Sequence, residues 1–221
     1  MRPVSKGAAP NVFTAYGQAR DDLKTRIGNY CSYCEMTLDN LANVEHVQPK
    51  SKVPKLSLSW ENFLLACGYC NSTKGNKDID LDADIFPDLD NPLMAIKVDK
   101  VALTIRTDAS AEHQAMGAAF LELVGRGRDP DRDSTDRWRA RSDTYIVIQE
   151  TLEDLTHENV TDREKNLAIR VAKGYGHFSM WLSAFDQDSD MKNRLINAFP
   201  GTALNCFDQN GIPIHRPGGK M

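Results

Sequence analysis

Tyr30-Cys31-Ser32-Tyr33-Cys34 and Ala66-Cys67-Gly68-Tyr69-Cys70 decide how this chain folds. Each carries a Cys-x-x-Cys pair, and 32 residues separate the two pairs. Two such knuckles supply four thiolates, a set that suits tetrahedral zinc and leaves that ion no open position for catalysis. Five cysteines are an odd number, and four of them fall in these two pairs. In a reducing compartment that pattern argues for metal rather than disulfides. Two redox pairs, or plain core cysteines, are the other readings, but a redox pair normally opens a helix in a different fold. The fifth, Cys206, stands apart near the C-terminus and reads as a small buried apolar residue.

Between the knuckles lies Val44-Glu45-His46-Val47-Gln48-Pro49-Lys50, followed by Trp60-Glu61-Asn62-Phe63 and, directly after the second knuckle, Asn71-Ser72-Thr73-Lys74-Gly75. Phosphodiester hydrolysis needs a base for water, a cation at the phosphate and groups that orient both. His46 offers a base with an ordinary pKa near neutrality. Glu45 and Asn71 offer hard oxygen ligands of the kind that hold magnesium or manganese. Lys74 can reach a phosphate as a point charge. A His beside a Glu is usually structural. Here the cysteines force both segments onto one small unit, too small to bury such residues as mere core.

Local patterns place these residues. Tyr16, Ala19, Leu23 and Ile27 predict a helix over 15–27 ended by Gly28. A strand over 43–49 closes at Pro49, a second covers Leu64-Leu65-Ala66, and a helix over about 69–75 stops at Gly75. Such a two-stranded unit has too little core to hold itself, so zinc would supply folding free energy.

After Gly75 the character changes. Residues 78–92 are Asp-rich and read as a loop, and 94–98 and 101–105 as a hairpin turning at Asp99 and Lys100. Helices follow from Ala111, over roughly 131–156 and 161–174, and up to Phe199-Pro200, with a hairpin over 203–214 around Asn210-Gly211. The division is residues 1–77, an N-terminal helix and nuclease module; 78–109, an acidic linker with a small hairpin; and 110–221, a mainly helical domain. The fold class is α+β. Net charge is -4, awkward for gripping nucleic acid, yet residues 1–75 carry nine Lys/Arg against six Asp/Glu. The remainder is acidic and points to a partner. No stretch has the roughly 18 apolar residues of a membrane span. The first residues lack a signal peptide's apolar core. A cytoplasmic protein with no membrane contact is expected.

At these residues the segment 31–75 resembles the cysteine-braced branch of the HNH endonuclease family, with its β-β-α-metal fold. The resemblance implies Glu45 as a ligand of the catalytic metal and His46 as general base. It implies Asn62 pinning the loop that positions His46, and Asn71 as the second metal ligand. The last position is Asn rather than His, and Glu stands at 45 in place of the commoner Asp. It further implies structural Zn2+ on Cys31, Cys34, Cys67 and Cys70, catalytic Mg2+ or Mn2+, and a DNA substrate. An RNA target stays open, since the motif reads phosphodiesters and carries no base code. Arg2-Pro3-Val4-x-Lys6-Gly7, the run Ile27 to Glu35 and the helical half are similar to HNH proteins of bacterial anti-phage defence. Those are the nuclease subunits of Septu systems and of retrons that carry the same pair of effectors. They work beside an ABC-type ATPase, which implies that residues from about 110 onward dock such a subunit. The other readings are a non-catalytic zinc module binding nucleic acid or protein, and an HNH nuclease of a restriction or mobile-element system.

Other features carry less. Asp78-x-Asp80-x-Asp82-x-Asp84 starts like a calcium loop, but Ala83 stands where Gly is needed and Leu89 where Glu is. His157-Glu158 lacks a metalloprotease's second His, and His113, His177 and His215 are isolated. The arginines at 126, 128, 132, 137, 139 and 141, interleaved with aspartates, read as a solvated, self-paired surface.

Overall fold

Helix α1 (Ala19–Ile27) places Ala19, Leu23 and Ile27, spaced by four, on one buried face. This computed structural model describes residues 1–38, 42–125 and 136–221. Asp21 and Asp22 in the first turn of α1, and Lys24 and Arg26 in the last, complement the helix dipole. Gly28 ends it at φ 78°, where a Cβ would lie 2.7 Å from the Tyr30 ring. The chain then doubles back. Tyr30 bridges Thr37, and Cys31 N–H donates to the Met36 carbonyl at 2.9 Å. Glu35 closes this knuckle at φ 66°, a conformation uncommon outside glycine.

Strands β1 (Asn43–His46) and β2 (Phe63–Ala66) pair antiparallel, with Asn43 opposite Ala66 and His46 opposite Phe63. The first strand stops at His46 rather than Pro49, because Gln48 N–H is taken by the Asn62 side chain at 2.8 Å. Helix α2 (Gly68–Lys74) follows β2 directly, its first turn capped by the Cys67 sulfur, which accepts from Cys70 N–H at 3.3 Å. The N-terminal part is thus a small β-β-α unit packed on α1.

A second hairpin, β3 (Ile96–Asp99) and β4 (Ala102–Ile105), turns at Lys100 and Val101, one residue later than expected, with Lys100 at φ 52°. Helix α3 (Ala111–Leu123) buries Phe120 and Leu121 in the same core as Leu23, Phe63 and Phe86. Helices α4 (Asp136–Asp154), α5 (Asp162–Tyr175), α6 (Phe178–Ala184) and α7 (Ser189–Ala198) gather a second core around Ile169, Trp181, Leu195 and Phe199. In the tail, Phe207 bridges Pro213 around Asn210-Gly211. The fold is α+β, a small β-β-α unit followed by a mainly helical remainder. Among the described residues no helix is long and apolar enough to cross a membrane.

The arginine run departs from expectation. Arg137 and Arg141 are 2% and 0% exposed, not solvated. Main-chain carbonyls receive them: Val124 and Gly125 for Arg137, and Val101 for Arg141. Arg139 does pair at the surface with Asp136 at 3.6 Å. The residues of that stretch from 126 to 133 lie outside the described residues. Asp78, Asp80 and Asp82 are exposed, His177 is buried and bonded through Nδ1 to Thr144 Oγ1 at 2.8 Å, and burial pushes the Cys206 thiol up to about 11.

Candidate active site and cysteine cluster

Cys31 and Cys34 sit on the knuckle after α1, Cys67 caps α2, and Cys70 lies in that helix's first turn. All four are buried, none forms a disulfide, and their Sγ atoms lie within 4.8 Å of one another. Cys34 and Cys67 Sγ are 3.8 Å apart. A regular tetrahedron with zinc–sulfur bonds of about 2.3 Å has sulfur–sulfur edges of about 3.8 Å, so the donor set matches zinc in type and size. Hydrogen bonds among the thiols, those with Cys31 foremost, push Cys67 down and Cys34 and Cys70 up. The spacing that singled out these four residues in the sequence does bring them together.

His46, at the end of β1, is 8% exposed and sits between two rings, Phe63 at 5.2 Å and Tyr16 at 5.1 Å, both edge-on. Its Nε2 lies 3.0 Å from the Ser57 carbonyl. A carbonyl only accepts, so Nε2 carries the proton and Nδ1 is left as a lone-pair nitrogen. Burial, then the charges of Lys50 and Lys74, lower the His46 pKa, against the Ser57 hydrogen bond, which raises it. Lys50 Nζ stands 4.2 Å over the Tyr16 ring beside it.

Asn62 fixes the chain next to Ser57, at Leu56. The Asn62 Oδ1 accepts from Gln48 N–H at 2.8 Å, and its Nδ2 donates to the carbonyls of Gln48 at 2.9 Å and Leu56 at 3.3 Å. One buried amide therefore clamps both ends of the loop that leaves β1 and returns to Ser57.

Glu45 precedes His46 on a strand and so faces the other way, toward α2. Its Oε1 meets Lys74 Nζ at 2.8 Å and accepts from Tyr33 OH at 3.3 Å. Burial raises the Glu45 pKa, and the Lys74 charge works against it. Lys74 is 1% exposed and also donates to the His46 carbonyl at 2.8 Å. The lysine expected at a phosphate is thus buried in the module, tying β1 to α2. Asn71 lies one turn back on α2, partly buried, and its side-chain amide makes no hydrogen bond among the described residues. A carboxylate and an amide oxygen are donors of the kind a hard divalent ion takes, but Glu45 Oε1 is already occupied by Lys74 and Tyr33, on the strand face away from His46.

Residues 31–77 match the model of the HNH endonuclease family. The chain carries an HNH module. It is also similar to the Septu protein PtuB of Bacillus thuringiensis, 40% identical over 73 residues, which is 32% of this chain and 28% of that protein. The match therefore spans under a third of the relative's length. No solved structure matches the chain. The module's limits take in the cysteines, both strands, the clamped loop and α2. Three groups around it went unread in the sequence. Tyr16 comes from outside the matched segment, Ser57 acts through a carbonyl that any residue would provide, and Tyr33 is masked as a knuckle spacer.

Proposed function

We propose that the chain is a metal-dependent HNH endonuclease that hydrolyses DNA. The observation that carries this reading is the oriented imidazole: Nε2 donates to the Ser57 carbonyl, so Nδ1 is presented as a base. In this reading Nδ1 takes a proton from the attacking water, and the Ser57 carbonyl steadies the positive imidazolium through Nε2–H. Asn62 fixes the loop so that the carbonyl keeps its place, and the Phe63 and Tyr16 rings limit the tilt of the imidazole. Lys50, beside Tyr16, supplies positive charge at the rim for a phosphate. Lys74 keeps Glu45 and the His46 main chain in register instead of touching the substrate.

Glu45 and Asn71 would hold magnesium or manganese, which would polarise the phosphate and stabilise the leaving oxygen. Zinc on Cys31, Cys34, Cys67 and Cys70 would be architectural, since four thiolates leave it no open position. The site of action would be the cytoplasm, within a Septu- or retron-type anti-phage system alongside an ABC-type ATPase. The partial likeness to a Septu protein supports the defence setting. The acidic balance outside the basic N-terminal part supports a docked partner over a second DNA grip.

His46→Ala tests this directly. Plasmid cleavage with magnesium should fall by at least about a hundredfold, the worth of a positioned base, while zinc content and the circular dichroism spectrum stay at wild-type values. Cleavage at the wild-type rate would overturn the assignment. Co-purification with the product of the neighbouring gene tests the partner, and an ATPase-free preparation with full activity would count against it.

A further inference from the structure

Arg137 belongs to the helical part of the chain, far from the matched segment, yet its side chain ends at the cysteine cluster. Its Nη1 donates to Cys70 Sγ at 3.3 Å and to the Val124 carbonyl at 3.0 Å, and its Nη2 donates to the Gly125 carbonyl at 3.1 Å. The guanidinium carbon lies 3.7 Å from the centre of the Tyr69 ring. Four contacts therefore fix one planar cation. Two come from the C-terminal end of α3, whose carbonyls have no further helix to bond. The other two come from successive residues of α2, Tyr69 and Cys70. The side chain is 2% exposed, so solvent screens little of its charge.

That placement has a chemical consequence. A divalent zinc on four thiolates leaves the centre with a formal charge of about −2 in a dry pocket. A buried guanidinium against one thiolate offsets part of that charge. Its hydrogen bond also draws electron density from the sulfur, making it a poorer nucleophile and harder to protonate off the metal. We infer that Arg137 is an outer-sphere donor of the cysteine-bound zinc, so that α4 sets the stability and reactivity of the metal brace under the nuclease module. The inference rests on the zinc reading above. Cys70 is followed at once by Asn71, so the same contact fixes the helical turn that presents Asn71. Arg137 acts through Cys70 and α2, as a positioning residue.

The competing role is purely structural, the capping of α3 by Arg137. The two roles differ at one sulfur. The test uses the full chain as wild type, Arg137→Gln and Arg137→Lys. Zinc per chain is measured first, then affinity by chelator competition, and then thiolate alkylation by N-ethylmaleimide, mapped by mass spectrometry. Loss of an outer-sphere partner is expected to weaken zinc binding in Arg137→Gln by about 10–100-fold. Alkylation should accelerate about tenfold, first at Cys70, the lower end of what a hydrogen bond to a charged group is worth. Arg137→Lys, which keeps a charge but only a point donor, should fall between. With cobalt in place of zinc, the sulfur-to-metal charge-transfer band should move to lower energy in Arg137→Gln, and this readout holds even if that variant is less stable. An unchanged band together with an unchanged Cys70 rate overturns the inference, as does an equal rise at all four cysteines. Wild-type protein with no zinc would instead sink the zinc reading itself.

Discussion

Glu45 and Lys74 form a buried ion pair across the module, at 4% and 1% side-chain exposure. Such a pair adds little net stability over an apolar one, yet removing one partner strands the other charge. Lys74→Met should therefore lower stability by about 3–5 kcal/mol, read by urea unfolding, while the double change Glu45→Gln with Lys74→Met should recover most of it. A double variant as unstable as Lys74→Met would show that the lysine acts through its His46 contact and not through Glu45. Asn62 makes a different kind of claim. Asn62→Ala leaves Gln48 N–H without its acceptor and frees both ends of the clamped loop. It should lose about 1–3 kcal/mol of stability and most of its cleavage rate, with substrate affinity little changed. A cleavage rate equal to wild type would separate the loop from the imidazole. In the sequence, His46, Glu45 and Asn71 could be singled out by residue type, and Asn62 by the resemblance. Their partners could not: Ser57 contributes a main-chain carbonyl, and whether Lys74 faces solvent or Glu45 depends on which way α2 rolls onto the sheet.

At the scale of elements, spacing carried well and ends did not. The paired cysteines, the helix ended by Gly28, which begins at Ala19 rather than 15, and the two hairpins follow from pattern and turn residues, because each signal is local. The early end of β1 depends on side-chain competition for a main-chain group, Asn62 at Gln48, and the later turn of the second hairpin goes with Lys100 at φ 52°. The burial of Arg137 and Arg141 was illegible for a related reason. An arginine run next to aspartates reads as surface, and partners brought near by tertiary packing, the carbonyls of Val101, Val124 and Gly125 among them, make burial tolerable. Cys67 is the N-cap of α2 and, in the proposed zinc site, would be a metal donor as well. Serine keeps a capping oxygen but is a poor zinc ligand, so Cys67→Ser separates the two. Zinc content should drop to background and the β1–β2–α2 unit should become protease-sensitive, even with the cap preserved. Full zinc retention in this variant would mean that three thiolates suffice.

Across the whole molecule, the first knuckle is clasped by the helical part through Glu35. Its Oε1 accepts from Arg2 N–H at 2.6 Å, and its Oε2 accepts from Ser179 N–H at 3.1 Å and from the Ser179 hydroxyl. Its main-chain carbonyl accepts from His177 N–H at 2.8 Å, while Gly176, at φ 72°, approaches so closely that a Cβ there would lie 2.7 Å from that carbonyl. Arg2 completes the joint by donating to the Ile27 and Pro200 carbonyls, each at 2.6 Å, beneath the Tyr30 and Phe199 rings. Residues near 2, 30, 177 and 200 thus meet at one point, a convergence that no local pattern encodes. Both Glu35 oxygens face donors, so Glu35→Gln turns one acceptor into a donor pointed at another donor. The expected loss is about 1–3 kcal/mol, with no zinc ligand touched. Because the joint binds the knuckle to α6, zinc release and loss of helical ellipticity should occur at the same urea concentration in wild type, and both should shift down together in Glu35→Gln. Zinc release that shifts while ellipticity stays put would show that the knuckle opens independently, and that the helical part is clasped to the module by other contacts.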